Sequence, residues 1–408
     1  MLPADLAWQP FAGALIQPVV AVAKGMAYVF DQSIAWWTRK VRATVPAKTP
    51  RTISLERISH PVSGQRRATS FDIAQLAGVS QPTVSRALRG STTVSAATRQ
   101  RIETIARELN YSVDRSASNL RSGATRTLAL LLFRDPTPDE TLINPFFLAM
   151  LGSMMGACAN AGYDLLVSFQ QMSGDWYRDY EGSHRADGLI LLGYGNYADY
   201  HHRLVDMVDQ GTHFVRWGHV KPGQPGLTLG CDNVAGGQSA TQHLIERGRR
   251  RIAFLGNATD HYPEFYDRYR GYVQALSAAG LSPDRALQIP SISTEEDGVR
   301  AAKELLARGV TFDGIVAASD LIALAAMRVL AGAGIIVPDD VAIVGFDDIP
   351  AAGLANPPLT TVVQDAGTAG RRLVELLLAR IKGDLAASLV LPTRLTVRRS
   401  SGEINDAG

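Results

Sequence analysis

Two sets of residues in this sequence have the types and spacing for recognition chemistry. The first lies in the run S-F-D-I-A-Q-L-A-G-V-S-Q-P-T-V-S-R-A-L from Ser70 to Leu88. If Val84, Ala87 and Leu88 form the buried face of a short helix, then Gln81, Pro82, Thr83, Ser85 and Arg86 point away from it. An amide, hydroxyls and a guanidinium near a helix N-terminus can hydrogen-bond base edges in a DNA major groove. The second set falls largely at the ends of apolar runs. Trp217 closes V-R-W-G, Asp320 closes A-A-S-D, and Asp347 and Asp348 close V-G-F-D-D. Phe146 and Phe147 follow Asn144–Pro145, and Arg268 and Tyr269 lie in E-F-Y-D-R-Y-R-G-Y. Aromatic planes pack on the C–H faces of a polyhydroxylated ring while charged forks hold its hydroxyls, so this set suits a sugar-like ligand. Each member also has a plainer reading. Phe146 or Phe147 can be core, Asp348 can cap a turn, and Arg268 can pair with a neighbouring acid.

The first set needs a two-helix scaffold. Ile73, Ala74 and Ala77 are spaced for one face of a first helix, and Gly78 supplies the positive φ of a tight turn. Val79 plugs the gap, Ser80 stands as N-cap, and Pro82 falls in the first turn of the second helix. A third helix is expected from about Ser95 to Leu109, with Ile102, Ile105, Ala106 and Leu109 at helical spacing. Three short helices can also form an interaction module. Against that stands the charge: from Arg66 to Arg126 there are ten arginines and four acids, a net +6, while residues 127–408 carry −8. A basic head on an acidic body points to a polyanion partner. After the head, Arg115 to Gly123 reads R-S-A-S-N-L-R-S-G, too short for a stable isolated helix in water, where roughly 12–15 residues are needed. It is expected to fold only when docked, or to be a plain linker carrying one incidental leucine, Leu120.

The second set needs parallel sheets. Apolar runs at 127–133, 163–169, 187–193, 213–218, 251–256, 312–318 and 341–346 alternate with helical segments near 146–161, 199–210, 235–247, 265–279, 296–308 and 321–333. Such alternation means strands covered by helices on both faces, and about 280 residues of it suits two lobes with a ligand in the crevice between them. Two cysteines in 408 residues build neither a disulfide framework nor a cysteine zinc site, and a reducing compartment follows. No phosphate loop, G-x-S-x-G elbow or H-E-x-x-H is found, and no cofactor or metal is expected. Residues 1–37 are apolar, with Leu6 to Ala23 uncharged, but Gln17 and Pro18 interrupt the run, and residues 41–65 turn to Pro, Ser, Thr and Arg. The expectation is an extension that is not a folded unit and reflects an over-long start. The competing reading is a membrane-anchored, periplasmic-type sugar-binding protein, which leaves the helix-turn-helix pattern unused.

The head run, followed by V-S-A-A-T-R and L-N-Y, resembles the lactose-repressor family of bacterial transcription regulators, and the likeness extends from Ser70 to Ser400. The resemblance implies an all-α helix-turn-helix head and an α/β two-lobed sensor like a periplasmic binding protein, with parallel sheets. Gln81, Pro82 and Arg86 would then read bases. Thr83, Ser85, Asn110 and Tyr111 would hold phosphates, with Arg115 and a minor-groove wedge, Leu120, in the hinge. It raises Arg268 and Asp320 as a paired ligand-holding arginine and aspartate and Trp217 as a cleft residue, beside Phe146, Phe147 and Asp347. Arg216 stands where several relatives have aspartate, which fits an acidic sugar or a different internal salt bridge. The divisions implied are an extension (1–65), head (66–112), hinge (113–125), ligand-binding and dimerisation body (126–400) and tail (401–408). The expected protein is a cytoplasmic homodimer that binds a double-stranded DNA operator, represses carbohydrate-use genes and responds to a sugar effector.

Overall fold

Local caps and turns build the head. Thr69 accepts from the Asp72 N–H and the Asp72 carboxylate accepts from the Thr69 N–H at 2.7 Å, a reciprocal cap that opens α1 (Ser70–Ala77). The helix ends where Gly78 takes φ 62°, ψ 36°, a left-handed conformation that costs an L-side chain about 1 kcal/mol or more. The chain is then aimed into α2 (Gln81–Leu88), and α3 (Ala96–Glu108) follows with Ser95 as its cap. Ser80 occupies the cap position of α2, but its hydroxyl pairs with the Thr83 hydroxyl at 2.9 Å instead of capping an amide. Ile73, Ala74, Ala77, Val84, Ala87, Ile102 and Ala106 form the head's core, joined by Val94. Leu88, Ile105 and Leu109 pack at its edge, less buried than their spacing implied.

The computed structural model describes residues 68–111, 124–133, 143–169, 175–193 and 197–402. The 1–65 extension and the hinge residues Arg115 and Leu120 lie outside the described residues.

In the body, β1 (Thr127–Leu132), β2 (Asp164–Phe169), β3 (Gly188–Leu192), β4 (Phe214–Trp217) and β5 (Leu227–Cys231) share one sheet with α4 (Pro145–Ala161) and α5 (Tyr197–Asp209) as connections. The second sheet holds β6 (Ile252–Leu255), β7 (Gln288–Ile289), β8 (Gly314–Ala317), β9 (Ala342–Asp347) and β10 (Thr360–Val363). Around it run α6 (Asn233–Glu246), α7 (Pro263–Ala278), α8 (Glu295–Ala307), α9 (Asp320–Gly332) and the short α10 (Pro350–Leu354). Then α11 (Ala366–Lys382) and β11 (Leu389–Leu391) return to the first lobe, and β12 (Arg394–Thr396) joins the second.

The strand orders are β11-β5-β4-β3-β1-β2 and β12-β10-β9-β8-β6-β7. All pairings are parallel except β10 with β12, which run antiparallel in the register Val362 to Leu395. This departs from the expected all-parallel sheets. Only Pro392 and Thr393 separate β11 from β12, so the chain steps directly from the edge of the first sheet to the edge of the second. The chain thus passes between lobes at 231–233, 363–366 and 391–394, since α6 packs on α7 and β9 while α11 packs on α4 and β4.

Candidate functional site

On the head, α2 buries Val84 and Ala87 and leaves Pro82 and Arg86 exposed, with Gln81, Thr83 and Ser85 part-exposed. Gln81 donates from Nε2 to the Ser70 hydroxyl at 3.1 Å, which props its amide at the junction of the two helices. The Arg86 guanidinium folds back along the helix, its Nε donating to the Pro82 carbonyl at 3.3 Å. Asn110 turns the chain after α3 with φ 47°, and Tyr111 packs against the head core. Phe71 and Leu76 of α1 were not picked out as surface groups, yet they are 70% and 62% exposed. Their positions lie off the Ile73/Ala74/Ala77 face, which is the signal that could have placed them outside.

The second site forms where the carboxyl ends of β9 and β10 in the second lobe face the start of α4 in the first. A cavity of ≈ 270 Å³ is walled by Phe146 and Ala149 of α4, by Asp347, Asp348 and Ile349 at the end of β9, and by Gln364, Ala366 and Arg394 at the lobe crossings. Behind it, α7 carries Arg268, which is 1% exposed. Its Nε donates to Asn233 Oδ1 at 2.8 Å, its Nη1 to the Ala318 carbonyl, and its guanidinium lies 3.7 Å from the Phe346 ring centroid. The acid whose carboxylate meets this guanidinium is Asp347, at 3.8 Å.

Asp347 is the residue on which the cleft's chemistry centres. Its Oδ1 accepts from Gln364 Nε2 at 2.5 Å, while Oδ2 is buried with no hydrogen-bond partner among the described residues. A buried acceptor without a donor is costly, and the residue that carries it lines the cavity. Asp347 and the following Asp348 both hold positive φ, 119° and 58°, a backbone state costing of order 1–3 kcal/mol per residue and concentrated at functional sites. Asp348 is tied by Arg398 at 2.7 Å.

Asp320, named with Arg268 as a ligand-holding residue on the resemblance, stands deeper in the fold than Asp347. Asp320 sits at the start of α9, fully buried, with Oδ2 accepting from the Ile349 N–H at 2.9 Å and Oδ1 from the Thr361 hydroxyl at 2.6 Å. It braces the turn that presents Asp347. Trp217 and Phe147 also stand behind the wall: Trp217 lies 5.7 Å from Phe146 between ring centroids, and Phe147 lies 5.5 Å from Phe146. Phe146 is the aromatic that reaches the cavity. Gln364 and Asn233, unmarked by any motif, enter because the lobe crossings bring them there. Arg216 is held internally, donating to Gln224 Oε1 at 2.8 Å and to the His219 carbonyl at 3.1 Å with its guanidinium over the Tyr197 ring. Its Nε is buried without a hydrogen-bond partner among the described residues.

Burial pushes the Asp347 carboxyl up to about 7, opposed by the charge of Arg268 and the hydrogen bond from Gln364. Asp320 is also raised well above the usual carboxylate range, by burial first and then by the negative charge of Asp347. Because the folded value of Asp347 exceeds the unfolded one near 3.9, the folded state holds this proton more tightly. That stabilisation is complete below about pH 4 and is lost as pH rises through about 7. The thermal unfolding midpoint is therefore expected to fall by roughly 3–8 °C between about pH 5 and pH 8 in calorimetry. Asp347→Asn should flatten this dependence; an unchanged slope in the variant would remove Asp347 as its source.

Comparison with known proteins fits this arrangement. Residues 71–114 match the model of bacterial regulatory proteins of the lacI family, and residues 241–401 match that of a periplasmic binding protein-like domain. The HTH-type transcriptional regulator CelR of Thermobifida fusca is 36% identical over 346 residues, covering 82% of this chain and 99% of the relative. The chain belongs to the LacI family. The HTH-type transcriptional repressor CytR of Escherichia coli K12 is 30% identical over 339 residues, covering 82% of this chain and 96% of CytR. A solved transcriptional regulator CelR–cellobiose complex aligns with TM-score 0.61 at 35% identity, over 82% of this chain and all of that one. The Lac repressor dimer bound to operator and the anti-inducer ONPF aligns at 0.73 with 24% identity, over 83% and 100%, and so speaks to fold alone.

Like its LacI-family relatives, the chain is a DNA-binding, ligand-responsive transcription regulator, and the membrane-anchored alternative is set aside. No helix among the described residues is long and apolar enough to cross a membrane.

Proposed function

We propose that this LacI-family member is a cytoplasmic homodimeric repressor of carbohydrate-use genes, released from its operator by a neutral sugar, and that it performs no catalysis. The observation that carries the effector reading is the open, buried Asp347 oxygen beside Arg268 in an interlobe cavity, on the same chain as a groove-reading helix. A sugar hydroxyl donating to that oxygen and accepting from a nearby donor satisfies both sides of such a wall, and Phe146 offers an apolar face for the ring. The cellobiose held by the CelR relative makes a β-linked glucose disaccharide the first sugar to try. The homodimer has support in α4, whose 17 residues carry no charge and expose Leu148, Gly152 and Met155 along one face, spaced for docking on a second copy. Gln81, Pro82 and Arg86 are assigned to base edges, and Thr83, Ser85, Asn110, Tyr111 and Arg115 to phosphates. Leu120 is assigned to a minor-groove step.

The test is selection from a randomised duplex pool followed by binding to the selected site across a salt series. A near-palindromic site is expected, with log affinity falling steeply against log salt, each neutralised phosphate contributing a slope of about −0.9. Cellobiose at millimolar concentration should release the duplex, with other disaccharides and monosaccharides as the comparison panel. A flat salt dependence with no selected site would defeat the regulator reading, and a selected site that no sugar releases would defeat the effector reading alone.

A further inference from the structure

Away from the cavity, the lobes also touch through a loop that follows β4. There His219 of the first lobe reaches α7 of the second. Its backbone N–H donates to Glu264 Oε1 at 2.8 Å, and its ring Nδ1 donates to Asp267 Oδ2 at 2.7 Å. The side chains of His219 and Asp267 are 19% and 12% exposed, so the bond is largely withdrawn from water. The approach is close: a Cβ at Gly218 would stand 2.9 Å from Glu264 Oε1. The loop is itself stiffened, because the His219 carbonyl accepts from Arg216, and Gln224 Oε1 accepts from both Arg216 and the Lys221 N–H. Asp267 is also held from its own helix by Arg270 at 3.0 Å. Burial pushes the Asp267 carboxyl up, but the hydrogen bonds and charges of His219 and Arg270 outweigh it and keep the group ionised below the usual range.

Two features make this contact more than packing. Glu264 and Asp267 are one turn apart on α7, and the next residue is Arg268, so the same helix presents its clasp to the first lobe and its guanidinium to Asp347 behind the cavity. The covalent crossings at 231–233, 363–366 and 391–394 contribute Gln364, Ala366 and Arg394 to the cavity or its rim, whereas His219 is not part of its wall. Resting on the sugar-effector reading only for its ligand arm, we infer that His219 is a positioning residue: its two bonds to α7 hold the lobes closed and set effector affinity without touching effector.

The full chain and its His219→Ala and His219→Asn variants test this. The asparagine Nδ2 stands close to where imidazole Nδ1 does and can still donate to Asp267. In ligand-free protein, amide hydrogen exchange over 218–226 and 262–270 is expected to rise about tenfold in His219→Ala and to return towards wild type in His219→Asn. Cellobiose affinity measured by titration calorimetry should weaken about tenfold in the alanine variant, with recovery in the asparagine variant. Asp267→Ala should give the same loss, and the double variant no more than either alone. Exchange at α7 unchanged in His219→Ala would overturn the inference, as would additive losses in the double variant. If wild type binds neither cellobiose nor any sugar of the panel, the effector reading fails while the exchange arm still decides the clasp.

Discussion

Replacing Arg86 and Gln81 together by alanine is expected to lower affinity for the selected operator by about 10³-fold or more, towards the level of a scrambled duplex, whose own affinity stays within about threefold. The size follows from the two side chains: a well-placed bidentate contact to a base edge discriminates by about 1–3 kcal/mol, and each head of a dimer carries both. The selectivity of the loss follows from electrostatics, since only one charge per head disappears and nonspecific attraction depends on the whole basic surface. Folding should be little affected. Arg86 is exposed and bonds only its own helix at Pro82, while Gln81 gives up a single part-buried bond to Ser70, worth about 0.5–1.5 kcal/mol net. Fluorescence anisotropy on paired duplexes, with a circular-dichroism melt as the folding control, measures this. Undiminished site selectivity in the double variant would take α2 out of the groove.

The second large effect is expected at Arg268. Arg268→Leu keeps an apolar side chain between Phe265 and Phe346 but strips charge from beside a carboxylate that is only 3% exposed. It leaves the Ala318 carbonyl and Asn233 Oδ1 without the donor they now have from Arg268. Each buried acceptor left without its donor costs about 1–3 kcal/mol, and Asp347, already pushed up to about 7, answers the loss of Arg268 by taking a proton, for a total of about 3–5 kcal/mol. For a body of this size that corresponds to a fall of roughly 6–15 °C in the unfolding midpoint. Release of the operator by sugar should be lost, while the head, which has its own core, keeps its selectivity. Adding Asp347→Asn should recover part of the stability by removing the need for that proton, but not the response to sugar. A sugar response surviving in Arg268→Leu would show that the guanidinium is not part of effector recognition.

These two experiments fall on residues of different legibility. Arg86 and Gln81 could be read directly, because a helix-turn-helix is local: the turn and the Ser70 bond that aim α2 lie within eleven positions of Gln81, and Gly78 with φ 62° is the hinge of the unit. Phe71 and Leu76 escaped notice because they are apolar and their exposure depends on which face the third helix covers. In the body, the seven apolar runs read as strands all became strands, while β5, β7, β10, β11 and β12 were not among them. Strand length does not separate the two groups, since β4, β6 and β8 have only four residues each.

The sequence by itself determined the order of elements, the two-helix reader with its exposed polar side, and the clustering of candidate ligand residues at strand ends, since periodicity and turn chemistry act over a few residues. Only the tertiary structure decided which acid stands beside Arg268. Asp320 and Asp347 both end apolar runs, yet one is absorbed by Ile349 and Thr361 while the other keeps an oxygen open. That choice, like the arrival of Gln364, Asn233 and His219 at the lobe boundary, depends on contacts between residues from 35 to 133 positions apart. No local pattern encodes such meetings, because they arise only when two separately wound sheets are brought face to face by chain crossings.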